Sequence, residues 1–510
     1  MKKDHESDNN EIVKMEKEND NIEVYEMQNH KIDNLEESSE NNGSQKLSSL
    51  EVQQDTEGKL IDKIIENLGI NPRILSIYAV ISLFLLADGG EMIVLSLLIT
   101  KLGALWNLSE YQKGFLGSCV FIGFFFGALI SGKLSDVKGR KPAFIVGSLL
   151  VSIFGVGSAL ASNYTQLIIL RTFFGLGIGL SVPAISSLTT EITKVKWRAW
   201  VLNCIWVMFP LGEMLAIIEA KYLLEYENGW RYLLGLVGLP CFFCFLISFF
   251  VYESPRFYLS KRDYEKSYLS LNGYLLSSKF PELTEAEKEQ LKKENETDLN
   301  MNNHKSNFSQ LFKSEYIRLT LLICLIFFIS SFVYYGLIFI QPQISDEEMN
   351  INNSESKSDQ ESKMYYGLVL ASFSEIPSTL LTSYLANLKF LGRIRSMAFG
   401  FLLSAFSASL CFLIASNKYI YMTMLKFSIG LPFGIIYIYV CEAYPTKFRT
   451  IGIGVSNSFT RLGGISTPFL SQISFAYKKN LPFFNFTLLC FVGIFAALGL
   501  PFETLGKNII

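Results

Sequence analysis

Histidine is nearly missing from this chain: three in 510 residues, His5, His30 and His304, all in polar stretches. No apolar segment holds one, which removes the commonest metal ligand and the readiest proton carrier near neutral pH. Charge is also sparse. Only 18% of residues are charged and the formal net charge is −2, so no basic surface invites nucleic acid. The eight cysteines scatter mostly through apolar runs, and the single CxxC, Cys241 and Cys244, has no second pair. Neither a disulfide framework nor a metal cluster is legible. The acidic, Asn-rich N-terminus is not a cleavable signal peptide. GLGIG, residues 175–179, follows no strand and is not a nucleotide loop. No nucleophile stands beside a base, so neither an enzyme nor a cofactor is expected.

What the chain has in quantity is apolar length. Half of it is hydrophobic, 14% is aromatic, and 42 phenylalanines lie in long blocks. A helix needs about 20 apolar residues to cross a bilayer. Twelve segments reach that length: 75–99, 112–131, 142–161, 166–187, 199–220, 231–251, 317–340, 364–386, 395–415, 418–441, 451–474 and 481–501. The expected fold is an all-α membrane protein, with twelve transmembrane helices in two pseudo-symmetric six-helix bundles. Its bundles would occupy 73–251 and 317–502, joined by a charged cytoplasmic linker at 252–316. A disordered cytoplasmic tail (1–58), an amphipathic interfacial helix (59–72) and a short tail (503–510) complete the expected order. Lys and Arg favour alternate loops by twelve to eight, which places both termini in the cytoplasm. Asn163 and Asn352 are then glycosylation sequons on the outer side.

The two halves repeat a pattern. EITKVKWR after the fourth segment sets Glu191 seven residues before Arg198; EAYPTKFR after the tenth sets Glu442 seven before Arg449. GKLSDVKGRK after the second segment (Gly132, Asp136, Gly139, Arg140) has its counterpart in KFLGRIR after the eighth, with Arg393. Duplication of this kind suits a transporter. GKLSDVKGRK and RTFFGLGIGLSVP resemble signatures of the major facilitator superfamily. ADGGEMIVLS, ESPRFYL, SSFVYYGLIF, SEIP, TRLGG and PFETLGK are similar to its synaptic-vesicle-protein-like branch, near nicotinate and organic-ion transporters. The likeness spans about residues 60–507. It departs at Lys389, where the family's aspartate would fall, and at Lys194, where the partner repeat has Pro445. The seventh segment also lacks the paired glutamines of sugar porters.

The resemblance implies that Gly132, Asp136, Gly139, Arg140, Glu191, Arg198, Arg393, Glu442 and Arg449 form a cytoplasmic gating network that latches the halves in the outward-open state and breaks when they rock. The glycines would permit a tight turn, and Asp136 would cap a helix or pair with Arg140. The plainer alternative is a loop that only keeps positive charge inside.

More informative are charges within the apolar segments. Each carboxylate at that depth costs roughly 2.5–3.5 kcal/mol. Asp88 and Glu91 share the first segment, three residues apart and on one face, with Arg171 the counter-ion nearest in depth. Gly89 and Gly90 would loosen the helix there. Glu213 lies in the fifth segment; Glu375, Lys426 and Arg461 are candidates for an equivalent cluster in the second half. Tyr334 and Tyr335 would line the cavity by resemblance. Two readings stand open: ion pairs and aromatic packing that only hold helices together, or, favoured for at least one acid, substrate or proton coupling in a secondary transporter of a small organic solute. The substrate class, a nicotinate-like organic ion, follows from resemblance alone; a sugar is the alternative substrate, and a non-transporting scaffold or solute sensor the alternative role. Expected partners are the solute, protons and the lipid bilayer, with the chain a monomer in the plasma membrane or an intracellular vesicle membrane.

Overall fold

The computed structural model describes residues 72–194, 197–261, 263–274, 311–314, 316–351, 357–388, 390–414, 418–444 and 449–505, with the backbone alone at 198–199, 345–351, 357–360 and 449–450. The expected tail at 1–58 and all of the interfacial helix but Pro72 lie outside the described residues.

Helix α1 (Pro72–Leu105) starts on Pro72, a position where a missing N–H costs nothing. Ser109 and Gln112 close a reciprocal capping box on α2 (Glu110–Lys138), and Gly139 ends it. Helix α3 (Arg140–Gly157) follows at once, and the Asn163 side chain caps α4 (Tyr164–Ile192). The fifth segment comes as two pieces, α5 (Arg198–Trp206) and α6 (Met208–Leu223), divided at Val207. Pro210 explains the break, since it has no N–H to return to the carbonyl of Trp206. Helix α7 (Gly229–Ser248) completes the first half, and two short helices, α8 (Pro255–Ser260) and α9 (Tyr264–Gly273), occupy the start of the expected linker.

The second half contains α10 (Ile317–Ile351), α11 (Lys357–Asn387), α12 (Gly392–Leu413), α13 (Lys418–Ala443), α14 (Arg449–Tyr477) and α15 (Leu481–Leu498). Among the described residues ten helices are long and apolar enough to cross a membrane. The two other expected spans, α11 and α14, are long enough but more polar. Their polar residues turn inward: Ser372, Ser374, Glu375, Ser378 and Thr382 on α11, and Ser456, Thr460, Thr467, Ser471 and Gln472 on α14, are all buried.

Packing repeats between the halves. In the first, α2 and α3 pack on α4, α1 on α6, and α7 on both α3 and α1. In the second, α11 and α12 pack on α13, α10 on α14, and α15 on both α12 and α10. The α2–α4 contact depends on glycine. A Cβ on Gly123 would lie 2.0 Å from the carbonyl oxygen of Thr172, and one on Gly175 2.0 Å from that of Val120. Small residues thus let the two backbones touch. Gly89 and Gly212 do the same for α1 and α6, so α1 runs unbroken past Gly89 and Gly90 and is not loosened there.

The halves meet along α2–α14, α6–α11 and α1–α10. Contacts concentrate towards the end that holds the 105–110 turn. There Gly464 faces Phe121, Gly117 faces Pro468, Ser118 donates to the carbonyl of Ile465 (2.7 Å), and Ser96 donates to that of Ile338 (2.6 Å). Towards the other end, Asn203 on α5 donates to Ser383 on α11.

Candidate functional site

The interior charges form three groups, and their neighbours decide what each can do. On the first-half side, Arg171 of α4 donates to Glu91 of α1 at 2.5 Å, and both side chains are 1% exposed. Phe174 lies beneath the guanidinium, 5.1 Å from its carbon. This pair matches one positive with one negative charge inside one half. Nε and Nη2 of Arg171 and Oε1 of Glu91 have no hydrogen-bond partner.

The second group joins the halves. Lys426 of α13 reaches Glu213 of α6 at 2.5 Å and Glu375 of α11 at 2.8 Å. Ser372 donates to Glu213 at 2.7 Å, and the Tyr334 hydroxyl donates to Glu375 at 2.8 Å. Two carboxylates therefore share one ammonium. Glu213 is fully buried, and its Oε1 has no hydrogen-bond partner.

Arg461 stands apart from that group. The expected second-half cluster of Glu375, Lys426 and Arg461 is thus corrected: Glu213 enters from the other half and takes the place of Arg461. Arg461 instead lies over the Phe124 ring of α2, 3.6 Å from its centroid, half-buried and without an ion pair within 4.0 Å among the described residues. Its charge reaches Asp88 and Tyr335. Asp88 is buried, Arg171 bonds Glu91 and not Asp88, and Oδ1 of Asp88 lacks a hydrogen-bond partner. Tyr335 meets Phe121 edge-on at 4.6 Å and Tyr334 at 5.2 Å, so an aromatic wall adjoins Arg461 and the triad.

At the Arg140 end two clamps repeat residue for residue. Arg140 binds Glu191 at 2.9 Å, and Arg393 binds Glu442 at 3.0 Å. Glu253 accepts from the backbone N–H groups of Arg140 (2.9 Å) and Lys141 (3.0 Å), which are free at the start of α3. Glu503 accepts from those of Arg393 (2.8 Å) and Ile394 (3.0 Å) at the start of α12. Burial pushes the Glu253 carboxyl up, against the pull of the Ser254, Lys141 and Arg140 amides and the Arg140 charge. Gly139 (φ 107°) and Gly392 (φ 66°) make both turns, and a Cβ on either would strike the capping carboxylate.

Sequence reasoning missed Glu253 and Glu503. A usable signal was present: each is the first acid after the last apolar segment of its half. Each clamp ties helices within one half, not across the two. Gly132 lies inside α2 with open space around it, so it makes no turn. Asp136 is exposed, and neither caps a helix nor pairs with Arg140, whose guanidinium is held by Glu191 and the Ser135 carbonyl. The side chains of Arg198 and Arg449 lie outside those described.

The Major Facilitator Superfamily profile matches residues 80–468. The synaptic vesicle 2-related protein of Xenopus laevis is 26% identical over 467 residues, spanning 88% of this chain and 82% of that protein. Organic cation/carnitine transporter 7 of Arabidopsis thaliana is 26% identical over 484 residues, spanning 88% and 95%. Among solved structures, the partially occluded inward-open conformation of the xylose transporter XylE from E. coli superposes with a TM-score of 0.68. It is 16% identical, covering 86% of this chain and 100% of that one, a likeness of fold alone.

Proposed function

This chain belongs to the Major Facilitator Superfamily, and from that premise we propose that it moves a small organic anion across the membrane by alternating access, driven by protons. It is a multi-pass membrane transporter rather than an enzyme. Arg461 is the observation that carries the substrate reading. A half-buried guanidinium stacked on an aromatic ring, with no carboxylate bound to it among the described residues, offers a planar fork for a carboxylate. Tyr335 and Phe121 supply an adjoining aromatic surface for an apolar or ring-bearing body. A nicotinate-like acid has both parts.

Alternating access is supported by the repeated packing of the halves and by their contact towards one end. Proton coupling is supported by buried carboxylates beside buried aromatics: Asp88 near Arg461, and Glu375 under Tyr334. The transporter acts as a monomer with both termini in the cytoplasm, in the plasma membrane or a vesicle membrane.

Uptake into vesicles containing the purified protein tests this, with labelled nicotinate, an organic cation and xylose offered at two external pH values. Nicotinate uptake should rise with an inward proton gradient. Arg461→Gln should lower it by roughly 10–150-fold, the loss of one charged hydrogen bond of about 1.5–3 kcal/mol. Uptake of the cation or the sugar alone would sink the anion reading. Binding of nicotinate without flux would favour a sensor.

A further inference from the structure

The packing symmetry pairs the α6–α11 seam with α2–α14, and the charges at the two differ. Glu213 stands fifteen residues after Arg198, and Gly464 fifteen after Arg449. The same position is therefore a carboxylate in one seam and a glycine in the other. Gly464 admits the Phe121 ring, while Glu213 meets Lys426 and, through it, Glu375.

Lys426 and Glu375 both belong to the second half and form a neutral pair by themselves. Glu213 belongs to the first half. Where the seam is open, Glu213 is hydrated and the pair opposite needs nothing from it. Where the seam is closed, Glu213 brings a surplus negative charge into a site that is 0% exposed at Glu213 and 1% at Lys426. Among the described residues no second cation contacts the triad; Arg461 lies over Phe124, beyond the Tyr334–Tyr335 pair. Helix α11 offers Ser372 and Glu375, α13 Lys426, and α10 Tyr334. Helix α1 carries Asp88 and Glu91, of which Glu91 is bound to Arg171; Arg231 of α7 donates to the carbonyl of Ala159. A buried unpaired charge is costly, and a proton is the smallest group that cancels it.

We propose that the Glu213–Lys426–Glu375 seam is a proton site, which binds one proton from the outer solution as the seam closes and gives it up before the seam reopens. The proton goes to one carboxylate of the Glu213–Glu375 pair, which shares the single Lys426 ammonium. Linkage then requires the converse: lower pH favours the closed seam, and higher pH the open one. This inference rests on the alternating-access reading and names the group that couples it to protons.

The test measures seam closure directly, without solute or flux. Spin labels at Lys221→Cys and Glu361→Cys, towards the same ends of α6 and α11, report the gap in full-length protein in nanodiscs. The background has exposed Cys204 and Cys441 replaced by serine. In the parent protein the short distance should gain population as pH falls from 8 to 5. Glu213→Gln should hold the short distance at all pH values. Glu375→Gln, a second route to the neutral triad, should flatten the response as well. A pH-independent gap in the parent, or a parent-like pH response in both variants, overturns the proton site. A pH-sensitive gap in a protein without flux would instead leave the proton site standing and refute the transport reading.

Discussion

The seams α2–α14 and α6–α11 are related by the same internal repeat, yet different forces hold them. In α2–α14 no ion pair joins the halves among the described residues: Gly464 lies under Phe121, Gly117 against Pro468 and Phe115 6.0 Å from Phe469, beside one Ser118 hydrogen bond to the Ile465 carbonyl and the Arg461 guanidinium over Phe124. In α6–α11 the contact is ionic, with Lys426 holding one carboxylate from each half. Apolar contact is indifferent to pH and tolerates sliding, whereas a buried triad with an odd charge responds to protons. Two mechanically equivalent seams can thus split the work, one as a passive bearing and the other as the point where an ion gradient acts.

The sharpest way to break this contrast is to remove the shared cation. Lys426→Met leaves Glu213 and Glu375 facing each other without a counter-ion. Breaking a buried pair from one side costs about 3–5 kcal/mol. We expect a large fall in the melting temperature of the protein in nanodiscs, mitigated as pH is lowered because protonation neutralises the stranded acids. A variant as stable as the parent at pH 8 would show that the triad contributes little to the seam.

Crowding the passive seam should cost less. In Gly464→Ala the new Cβ would stand 2.6 Å from the Phe121 ring, which is itself fully buried. Overpacking of this kind costs about 1–3 kcal/mol. Labels at exposed Tyr111 and Tyr477, beyond the seam on α2 and α14, should move apart in this variant to the same extent at pH 5 and pH 8. A pH-dependent displacement would mean that this seam is not passive.

These contrasts were only partly legible in the sequence. The apolar runs announced long helices because nothing but a bilayer or a large core accommodates them, and the buried charges stood out because each is expensive there. Depth along the chain was enough to bring Arg171 to the Asp88 and Glu91 pair of the same half, though not to choose Glu91 between them. It could not match Glu213 with Lys426, since sequence repeats relate halves without saying which faces meet. The break at Val207 follows from Pro210, a local cause that was on view. The polar faces of α11 and α14 lower their mean hydropathy, so the two helices richest in inward-facing polar residues resemble membrane spans least.

The smallest expected effect concerns Asp136, and it separates the two ends of the molecule. By resemblance Asp136 belongs to a latch, but here Glu191 and Glu253 do the clamping and Asp136 is exposed. The second half builds the same clamp from Arg393, Glu442 and Glu503, although Lys389 stands where the aspartate would be. A clamp that forms in a half whose sequence carries lysine there does not need a carboxylate at that position. Asp136→Asn should therefore change the melting temperature of this conformation by no more than a typical surface substitution, within about 0.5 kcal/mol. Glu253→Gln should cost more, because an amide binds the free N–H groups at the start of α3 less strongly than a carboxylate does. Equal losses in the two variants would show that Asp136 has a partner in the working protein, and that the Arg140 end joins the halves as the seams do.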